Sequence, residues 1–315
     1  MRKRIITYII LTQIFLIIGI VVHMDQKKKQ ALRAVSVNVI DKENSIFSQP
    51  DGLKYFYEPK PGVFYRDSSN RPYQGEYTIN NDSLNARRDY EIQKPKNIFR
   101  IITIGDSFTF GLYVNTKDNW TSLLEDKLNA NYCGDSKKYE VINLGVEGYD
   151  SRYAVERFKK RGEKYSPDLV IWLHTDLYRV RELMIPLEEK FKMPVESTLN
   201  GSYSAWNNIY IQLLSQYGVE RLLNYNKEAI SSLRNYYHGK VIMATIPGRI
   251  TSHGEVMLKS LVDDESSKWL YFKARDIYGL SANFGNDSHP NQKGHKIISE
   301  DMLNYIKNSK LISCN

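Results

Sequence analysis

Short apolar runs rich in β-branched residues alternate with helix-like stretches along most of this chain, and this alternation restricts the fold more than any other feature. Strands that alternate with helices form a parallel sheet that is covered on both faces. We therefore expect an α/β protein of three layers, α/β/α. The predicted strands cover residues 99–104, 139–144, 168–173, 240–246 and, more briefly, 280–284.

The stretches between these runs carry apolar residues at helical spacing. After the first strand, Trp120, Leu123, Leu124 and Leu128 line one side of a predicted helix. Pro290 suits the first position of the last helix, and this places His289 directly before it. The other predicted helices cover residues 151–162, 265–278 and 290–307, with long helical patterning within 203–237.

Residues 5–24 form a second, separate signal, because these twenty residues carry no Asp, Glu, Lys or Arg. As a helix they would be about 30 Å long, which matches the hydrocarbon core of a bilayer. A cleavable secretory signal would end in small residues, and none follow this segment. We therefore favour an uncleaved membrane anchor over a cleaved signal or a buried helix. Its short basic N-terminus is expected to stay in the cytoplasm, with the rest of the chain outside.

Residues 25–97 are polar and rich in turn formers, with short alternating stretches at 54–57 and 76–79. This composition predicts small strands and loops, and we call residues 25–97 the lead-in. The expected organisation is an anchor over 1–24, the lead-in over 25–97 and the α/β domain over 98–310.

The net charge of +8 does not indicate nucleic-acid binding, because the excess is concentrated near the apolar segment. The first 33 residues hold seven basic and one acidic side chain, and the rest holds 37 basic and 35 acidic ones. A nucleic-acid-binding domain concentrates its excess on the folded part. The two cysteines, Cys133 and Cys314, are too few for a disulfide scaffold or a zinc ribbon. They could pair, but we favour two unpaired thiols.

Polar and catalytic residue types follow the predicted strands. Ligands of open α/β sheets bind outside the carboxyl ends of the strands, so these residues are expected to converge. A hydroxyl, a base, a group that orients the base and hydrogen-bond donors are the parts that nucleophilic acyl transfer needs. The segments read GDSFTFG at 105–111, NLGVEGY at 143–149, HTDL at 174–177 and DSHPNQKGH at 287–295.

Together these segments resemble the SGNH (GDSL-type) hydrolase superfamily over residues 97–308. A Lys-Pro before the first strand and PDLVI at the third resemble its membrane-anchored bacterial branch. The resemblance implies a flavodoxin-like parallel sheet and an ester hydrolase that uses neither an organic cofactor nor a metal.

The resemblance also implies roles for individual residues. Ser107 matches the nucleophile and His289 the general base, while the backbone N–H groups of Ser107 and Gly148 match oxyanion-hole donors. Two positions depart from the family pattern. Thr175 stands where an Asn usually supplies a third oxyanion donor, and its hydroxyl could donate to the oxyanion there, although with a shorter reach. Asn286 occupies the usual position of the acid, three residues before the histidine, and Asp287 is one residue closer.

We favour Asp287 over Asn286 as the residue that orients His289. The leading hypothesis is a membrane-anchored serine esterase outside the cytoplasm, acting on an acylated small molecule or an envelope polysaccharide. An O-acyltransferase that uses the same acyl-enzyme is one alternative. A non-catalytic glycan-binding protein is the other, because two motif positions depart from the pattern. The Tyr-rich stretch 203–237 is expected to pack as core, with some aromatics near a sugar cleft.

Overall fold

A computed structural model describes residues 47–48, 56–66, 73–134, 137–191, 199–262, 268–285, 287–312 and 314. The predicted anchor over 5–24 and residue Asn286 lie outside these ranges. Among the helices that are described, none is both long enough and apolar enough to cross a bilayer.

The lead-in contains short antiparallel pairs, as its turn-rich texture predicts. Strand β1 (Phe47–Ser48) pairs with β2 (Glu58–Pro59), and β3 (Val63–Arg66) pairs with β4 (Glu76–Ile79). The strand predicted at 76–79 is confirmed. The one predicted at 54–57 is wrong for residues 56–57, since the strand begins at Glu58, and residues 54–55 lie outside the described ranges.

A five-stranded sheet, parallel throughout, forms the centre of the α/β part. Its strands run in the spatial order β6-β5-β7-β8-β9, which is the order 2-1-3-4-5 of flavodoxin-like sheets. The predicted parallel sheet is therefore confirmed for four of the predicted strands. The strand predicted at 280–284 is wrong as a member of this sheet, because only Asn283–Phe284 is a strand and it belongs to a separate antiparallel pair. The strands are β5 (Ile98–Gly105), β6 (Lys138–Asn143), β7 (Leu169–His174), β8 (Lys240–Thr245) and β9 (Trp269–Lys273).

The helix predicted over 265–278 is wrong, because strand β9 occupies its middle. Side chains of a strand alternate between the two faces of the sheet. Trp269 and Tyr271 pack into one core, while Leu270 and Phe272 pack against the other. The segment forms a strand because alternate side chains then contribute to the apolar cores on both faces of the sheet.

Helices cover both faces of the sheet, which confirms the three layers. On one face α2 and α8 pack against Ile101, Ile171 and Ile242. On the other face α3, α6 and α7 pack against a second apolar set that includes Ile102 and Val170. The helices are α1 (Ser107–Phe110), α2 (Trp120–Asn131), α3 (Ser151–Arg157), α4 (Arg181–Phe191), α5 (Leu199–Tyr217), α6 (Val219–Tyr236), α7 (Ser252–Val262) and α8 (Gln292–Asn308).

The helical stretch at 203–237 is divided between α5 and α6. Gly218 separates them with φ of +74°, a conformation that glycine adopts without a Cβ penalty. Tyr210, Tyr217 and Tyr225 pack against an apolar cluster that joins α4, α5 and α6. These three tyrosines therefore belong to helix packing, as the core interpretation predicts.

Cys133 and Cys314 form a disulfide, with their Cα atoms 4.9 Å apart, so the expectation of two unpaired thiols is wrong. Cys133 follows α2 and Cys314 follows α8, and these two helices pack side by side on the same face of the sheet. The pairing depends on the contact between these two helices, which cannot be deduced from the number of cysteines.

The lead-in packs directly on the α/β part through a buried ion pair. Glu58 is 2% exposed and contacts the guanidinium groups of Arg157 at 2.6 Å and Arg161 at 2.8 Å. Burial raises the pKa of Glu58, but the hydrogen bond from Arg161 and the charges of Arg157, Arg161 and Lys160 together outweigh it, so the pKa is lowered. The backbone at Glu58 is therefore held firmly beside the turn that follows β6.

Candidate active site

Ser107 lies at the sharp turn between β5 and α1, at the carboxyl edge of the sheet. Asp106 is the N-cap of α1, because its Oδ1 accepts a hydrogen bond from the N–H of Phe108 at 3.0 Å. Gly105 precedes it with φ of +151°, and a Cβ there would lie 2.8 Å from the carbonyl oxygen of Leu173. Only glycine fits this turn, which presents the serine beyond the strand. Ser107 itself is 5% exposed, so the site is a recess.

His289 meets the serine from the far end of the chain. Its Nε2 lies 2.8 Å from Ser107 Oγ. The ring packs beside Phe108, with centroids 5.0 Å apart, and meets Tyr113 edge-on at 5.4 Å. These contacts hold the imidazole in the orientation that faces the hydroxyl.

Asp287 contacts His289 Nδ1 through its Oδ1, and the same oxygen accepts the backbone N–H of His289 at 2.8 Å. Both residues belong to β11 (Asp287–Pro290), which pairs antiparallel with β10 (Asn283–Phe284). Residues two apart on a strand share a face, and this explains how a carboxylate at that spacing reaches the histidine. Residue 286, the alternative position, lies outside the described residues.

Pro290 does not open the last helix as the sequence predicts. It is the final residue of β11, and Asn291 is the N-cap of α8, accepting from the N–H of Gly294 at 3.1 Å. The helix begins after Asn291 because that side chain supplies the acceptor an N-cap needs, while Pro290 is paired with Asn283 in the antiparallel strands. His289 is therefore held by a strand rather than by a helix start.

Two backbone N–H groups are candidates for an oxyanion hole. Among the described residues, no acceptor takes a hydrogen bond from the N–H of Ser107 or of Gly148. The N–H of Ser107 opens α1, where helix geometry leaves the first N–H groups without a partner. Gly148 has φ of +77° in the turn that follows β6.

Thr175 lies at the end of β7, but its hydroxyl donates to Oδ2 of Asp106. Arg179 Nη1 approaches the same carboxylate oxygen at 3.4 Å and the carbonyl of Tyr149 at 3.4 Å. A threonine hydroxyl has one proton, and this one is used on Asp106. The structure therefore places Thr175 in the support of the nucleophile turn.

An aromatic rim adjoins the histidine. Tyr113 has φ of +71°, a conformation that is unusual for a residue with a Cβ and that occurs at functional sites. Its ring lies 5.7 Å from that of Phe284, which in turn lies 4.3 Å from that of Tyr73. These three half-buried rings come from the lead-in, the turn after α1 and β10. We call Tyr73, Tyr113 and Phe284 the aromatic rim.

Two other histidines are structural. His174 stacks on Trp172 at 4.5 Å, and His295 accepts the first N–H of α2 through its Nδ1 at 3.2 Å. Burial lowers the pKa of each to about 3, so both stay neutral at physiological pH. Within the described ranges, no three His, Cys, Asp or Glu side chains come together in a way that could hold a metal ion.

Three residues of this site are not indicated by the sequence motifs: Tyr57, Arg179 and Tyr113. Tyr57 lies 50 residues before the nucleophile in the polar lead-in, and no motif there marks it. Its hydroxyl donates to the carbonyl of Glu147, one residue before Gly148. Arg179 follows β7 closely enough that inspection of the strand ends could have included it.

No protein-family model matches this chain, and no curated protein matches it. Solved structures similar to it include a psychrotrophic esterase from Pseudoalteromonas sp., with 16% identity over 67% of this chain and 98% of that one, at a TM-score of 0.41. An acetylxylan esterase from Geobacillus stearothermophilus, in a catalytic mutant form, has 15% identity over 69% and 96%, at 0.41. A GDSL-like lipase from Bacteroides thetaiotaomicron has 16% identity over 69% and 92%, at 0.36.

Likenesses at TM-scores below 0.5 decide neither the fold nor the activity of this chain. The function must therefore be inferred from the site's own geometry.

Proposed function

We propose that this chain is a serine ester hydrolase of the SGNH type. The hydrogen-bonded series Ser107–His289–Asp287 carries the proposal, because it joins a hydroxyl, an imidazole and a carboxylate in the order that activates a serine. The N–H groups of Ser107 and Gly148 complete it as donors for the oxyanion.

The proposed reaction has two halves. Asp287 accepts from Nδ1–H of His289, so Nε2 is left as the acceptor for the Ser107 proton. As that proton moves to Nε2, Ser107 Oγ bonds to the ester carbonyl carbon and the carbonyl oxygen becomes an oxyanion. The oxyanion re-forms the carbonyl, the C–O bond to the alcohol breaks, and the proton on Nε2 passes to the leaving oxygen.

Water then resolves the acyl-enzyme by the same steps in reverse roles. Nε2 takes a proton from water while the water oxygen bonds to the acyl carbon. When the bond to Ser107 Oγ breaks, the proton returns to the serine and the carboxylic acid is released. The ester and water are the only reactants consumed, and the three side chains return to their starting states.

We further propose that the chain is membrane-anchored through residues 5–24, with the catalytic part outside the cytoplasm and acting on acylated envelope glycans. The disulfide supports an oxidising compartment, because such bonds are rare where glutathione keeps thiols reduced. The aromatic rim supports a sugar substrate, since flat rings offer apolar faces to pyranose rings.

A non-catalytic glycan-binding protein is the second candidate. The hydroxyl of Thr175 favours it, because that hydroxyl donates to Asp106 rather than standing free as a third oxyanion donor.

Covalent labelling separates the two candidates. A fluorophosphonate should react with a protein of residues 25–315 at a single side chain. Peptide mapping should find the adduct on Ser107. Absence of an adduct, together with absence of hydrolysis of short p-nitrophenyl esters, would reject the hydrolase and leave the binding protein.

Topology needs a separate experiment. Protease treatment of intact cells stripped of outer layers should digest the globular part and spare a reporter fused to the N-terminus. Recovery of a mature protein that begins after Met24 and is free of membrane would contradict the anchor.

A further inference from the structure

The turn that carries Gly148 is held by a segment of the lead-in. The hydroxyl of Tyr57 donates to the carbonyl of Glu147, and the hydroxyl of Tyr149 donates back to the carbonyl of Tyr57. The two rings meet edge-on with their centroids 5.3 Å apart. Two segments about 90 residues apart in the chain are thus joined by reciprocal hydrogen bonds.

The neighbours of Tyr57 fix its position from both sides. Phe56 is fully buried and packs against the rings of Tyr149 and Tyr153, with centroids 5.6 and 5.7 Å away. On the other side, Glu58 is held by its buried ion pair with Arg157. The phenol is therefore presented to the turn by a rigid support.

A peptide unit is planar, and in its trans form the C=O and N–H point in opposite directions. The described chain contains no cis peptide bond. A donor that holds the carbonyl of Glu147 therefore also sets the direction of the N–H of Gly148, which belongs to the same peptide unit. A Cβ at residue 148 would lie 2.7 Å from the Tyr57 hydroxyl oxygen, so the phenol closes one side of the turn.

We propose that Tyr57 is a positioning residue for the oxyanion hole: by holding the carbonyl of Glu147, it aims the N–H of Gly148 at the substrate oxyanion. This inference rests on the proposed function, which assigns that N–H to the hole. It makes the lead-in a part of the active site. Tyr57 is assigned a positioning role, because it acts on the oxyanion through the peptide unit that joins Glu147 and Gly148.

Tyr57→Phe removes the hydroxyl and keeps the ring. Complete loss of an oxyanion donor costs about 10²–10³ in rate. A donor that is present but less well aimed should cost less, so we expect kcat to fall about 10- to 100-fold. KM for a short p-nitrophenyl ester should stay within about twofold, because the ground-state carbonyl uses the hole weakly.

Tyr153→Phe is the matched control, since it deletes a hydroxyl from the same aromatic cluster. That hydroxyl donates to Glu182 at 2.6 Å and does not touch the turn. We expect Tyr153→Phe to leave kcat within about twofold, although both variants lose one part-buried hydrogen bond and should lower the thermal midpoint comparably.

Inhibition by a trifluoromethyl ketone distinguishes a positioning role from a purely structural one. Ser107 adds to the ketone carbonyl, and the oxygen of the resulting adduct is an oxyanion that occupies the hole. The inhibition constant of the ketone should weaken by the same factor as kcat in Tyr57→Phe and stay unchanged in Tyr153→Phe. Unchanged ketone affinity in Tyr57→Phe would overturn the proposal, whatever happens to kcat.

Two unnatural side chains at position 57 test the same point if Tyr57→Phe does not fold. 4-Aminophenylalanine keeps a hydrogen-bond donor, while 4-methylphenylalanine fills similar space without one. The amino variant should retain at least tenfold more activity, and equal activities would contradict the role of Tyr57. Phosphonylation of Ser107 in the wild-type protein is measured alongside, so failure of the proposed function is recognised separately.

Discussion

The two halves of the candidate site are built in different ways. The half that we propose transfers the proton consists of three side chains, Ser107, His289 and Asp287, that meet directly at the carboxyl edge of the sheet. The half that we propose stabilises the oxyanion consists of backbone N–H groups whose direction depends on other parts of the molecule. Thr175 is turned toward Asp106, and the turn at Gly148 is braced by the lead-in.

The difference teaches where substitutions should have large effects. Side chains that move the proton carry their role in their own chemistry, so replacing one removes the role. Replacing a side chain by any residue other than proline leaves the backbone N–H in place, so substitutions of the supporting residues can only shift that donor. The following predictions test whether this division holds, beginning with the largest effect.

Ser107→Ala should abolish catalysis, with a fall in kcat of about 10⁶ as for removal of other serine nucleophiles. The thermal midpoint should move by less than about 4 °C, because one modest hydrogen bond to His289 is lost. Hydrolysis of p-nitrophenyl acetate and a thermal melt measure the two quantities. Equal hydrolysis by wild type and variant would show that Ser107 is not the nucleophile.

Asp287→Asn should lower kcat by about 10⁴, since an amide neither holds the required tautomer of His289 nor stabilises its protonated form. Asn286→Asp is the matched control at the neighbouring position, and it should change kcat little. Steady-state kinetics of both variants decide between the two positions. A rise in activity of Asn286→Asp, with Asp287→Asn nearly silent, would invert the assignment.

Thr175→Val should lower kcat by less than about tenfold, because its hydroxyl supports Asp106 and an oxyanion donor would cost at least about 10². The free energy of unfolding should fall by about 1–3 kcal/mol, since a buried carboxylate oxygen loses a donor. Thr245→Val is the control: that hydroxyl lies 2.8 Å from the Tyr271 hydroxyl at the end of β8.

Chemical denaturation and kinetics separate the two roles of Thr175. A loss of about 10² or more in kcat for Thr175→Val alone would place its hydroxyl in the oxyanion half after all.

The smallest effect concerns pH. His174 precedes Thr175, and burial lowers its pKa in the folded protein from 6.5 to about 3. Between these two pH values the unfolded chain binds the proton of His174 more strongly than the folded protein does. The histidine therefore costs no stability above about pH 6.5, and it lowers the free energy of unfolding progressively as the pH falls toward 3. His174→Phe keeps an aromatic ring on Trp172 and should flatten the decline of the thermal midpoint between pH 6.5 and 4.5.

His238→Asn serves as its control, because that side chain is exposed, and the slope should not change. An unaltered slope in His174→Phe would show that the buried histidine does not contribute to acid sensitivity.

Much of the fold follows from local pattern, because strands β5 to β8 are apolar runs too short for helices, and β5, β6 and β7 are each followed by polar residues of a motif. Strand β9 could not be predicted in this way. Trp269 and Tyr271 face one side of the sheet and Leu270 and Phe272 the other, but all four are apolar or aromatic, so the sequence shows no alternation of polar and apolar residues. The choice between Asp287 and Asn286 could not be made from spacing, since it depends on whether the segment is a strand. Tyr57 and the disulfide depend on contacts between distant segments, which no local pattern contains.

The bond between Cys133 and Cys314, 181 positions apart, also changes the covalent topology of the chain. It closes residues 133–314 into a ring that includes four strands of the central sheet and His289, whereas β5 and Ser107 lie on the open tail. A protease that cuts once inside the ring leaves one covalent molecule until the bond is reduced. A cut between Ser107 and Cys133 instead divides nucleophile and base between two molecules that only packing holds together.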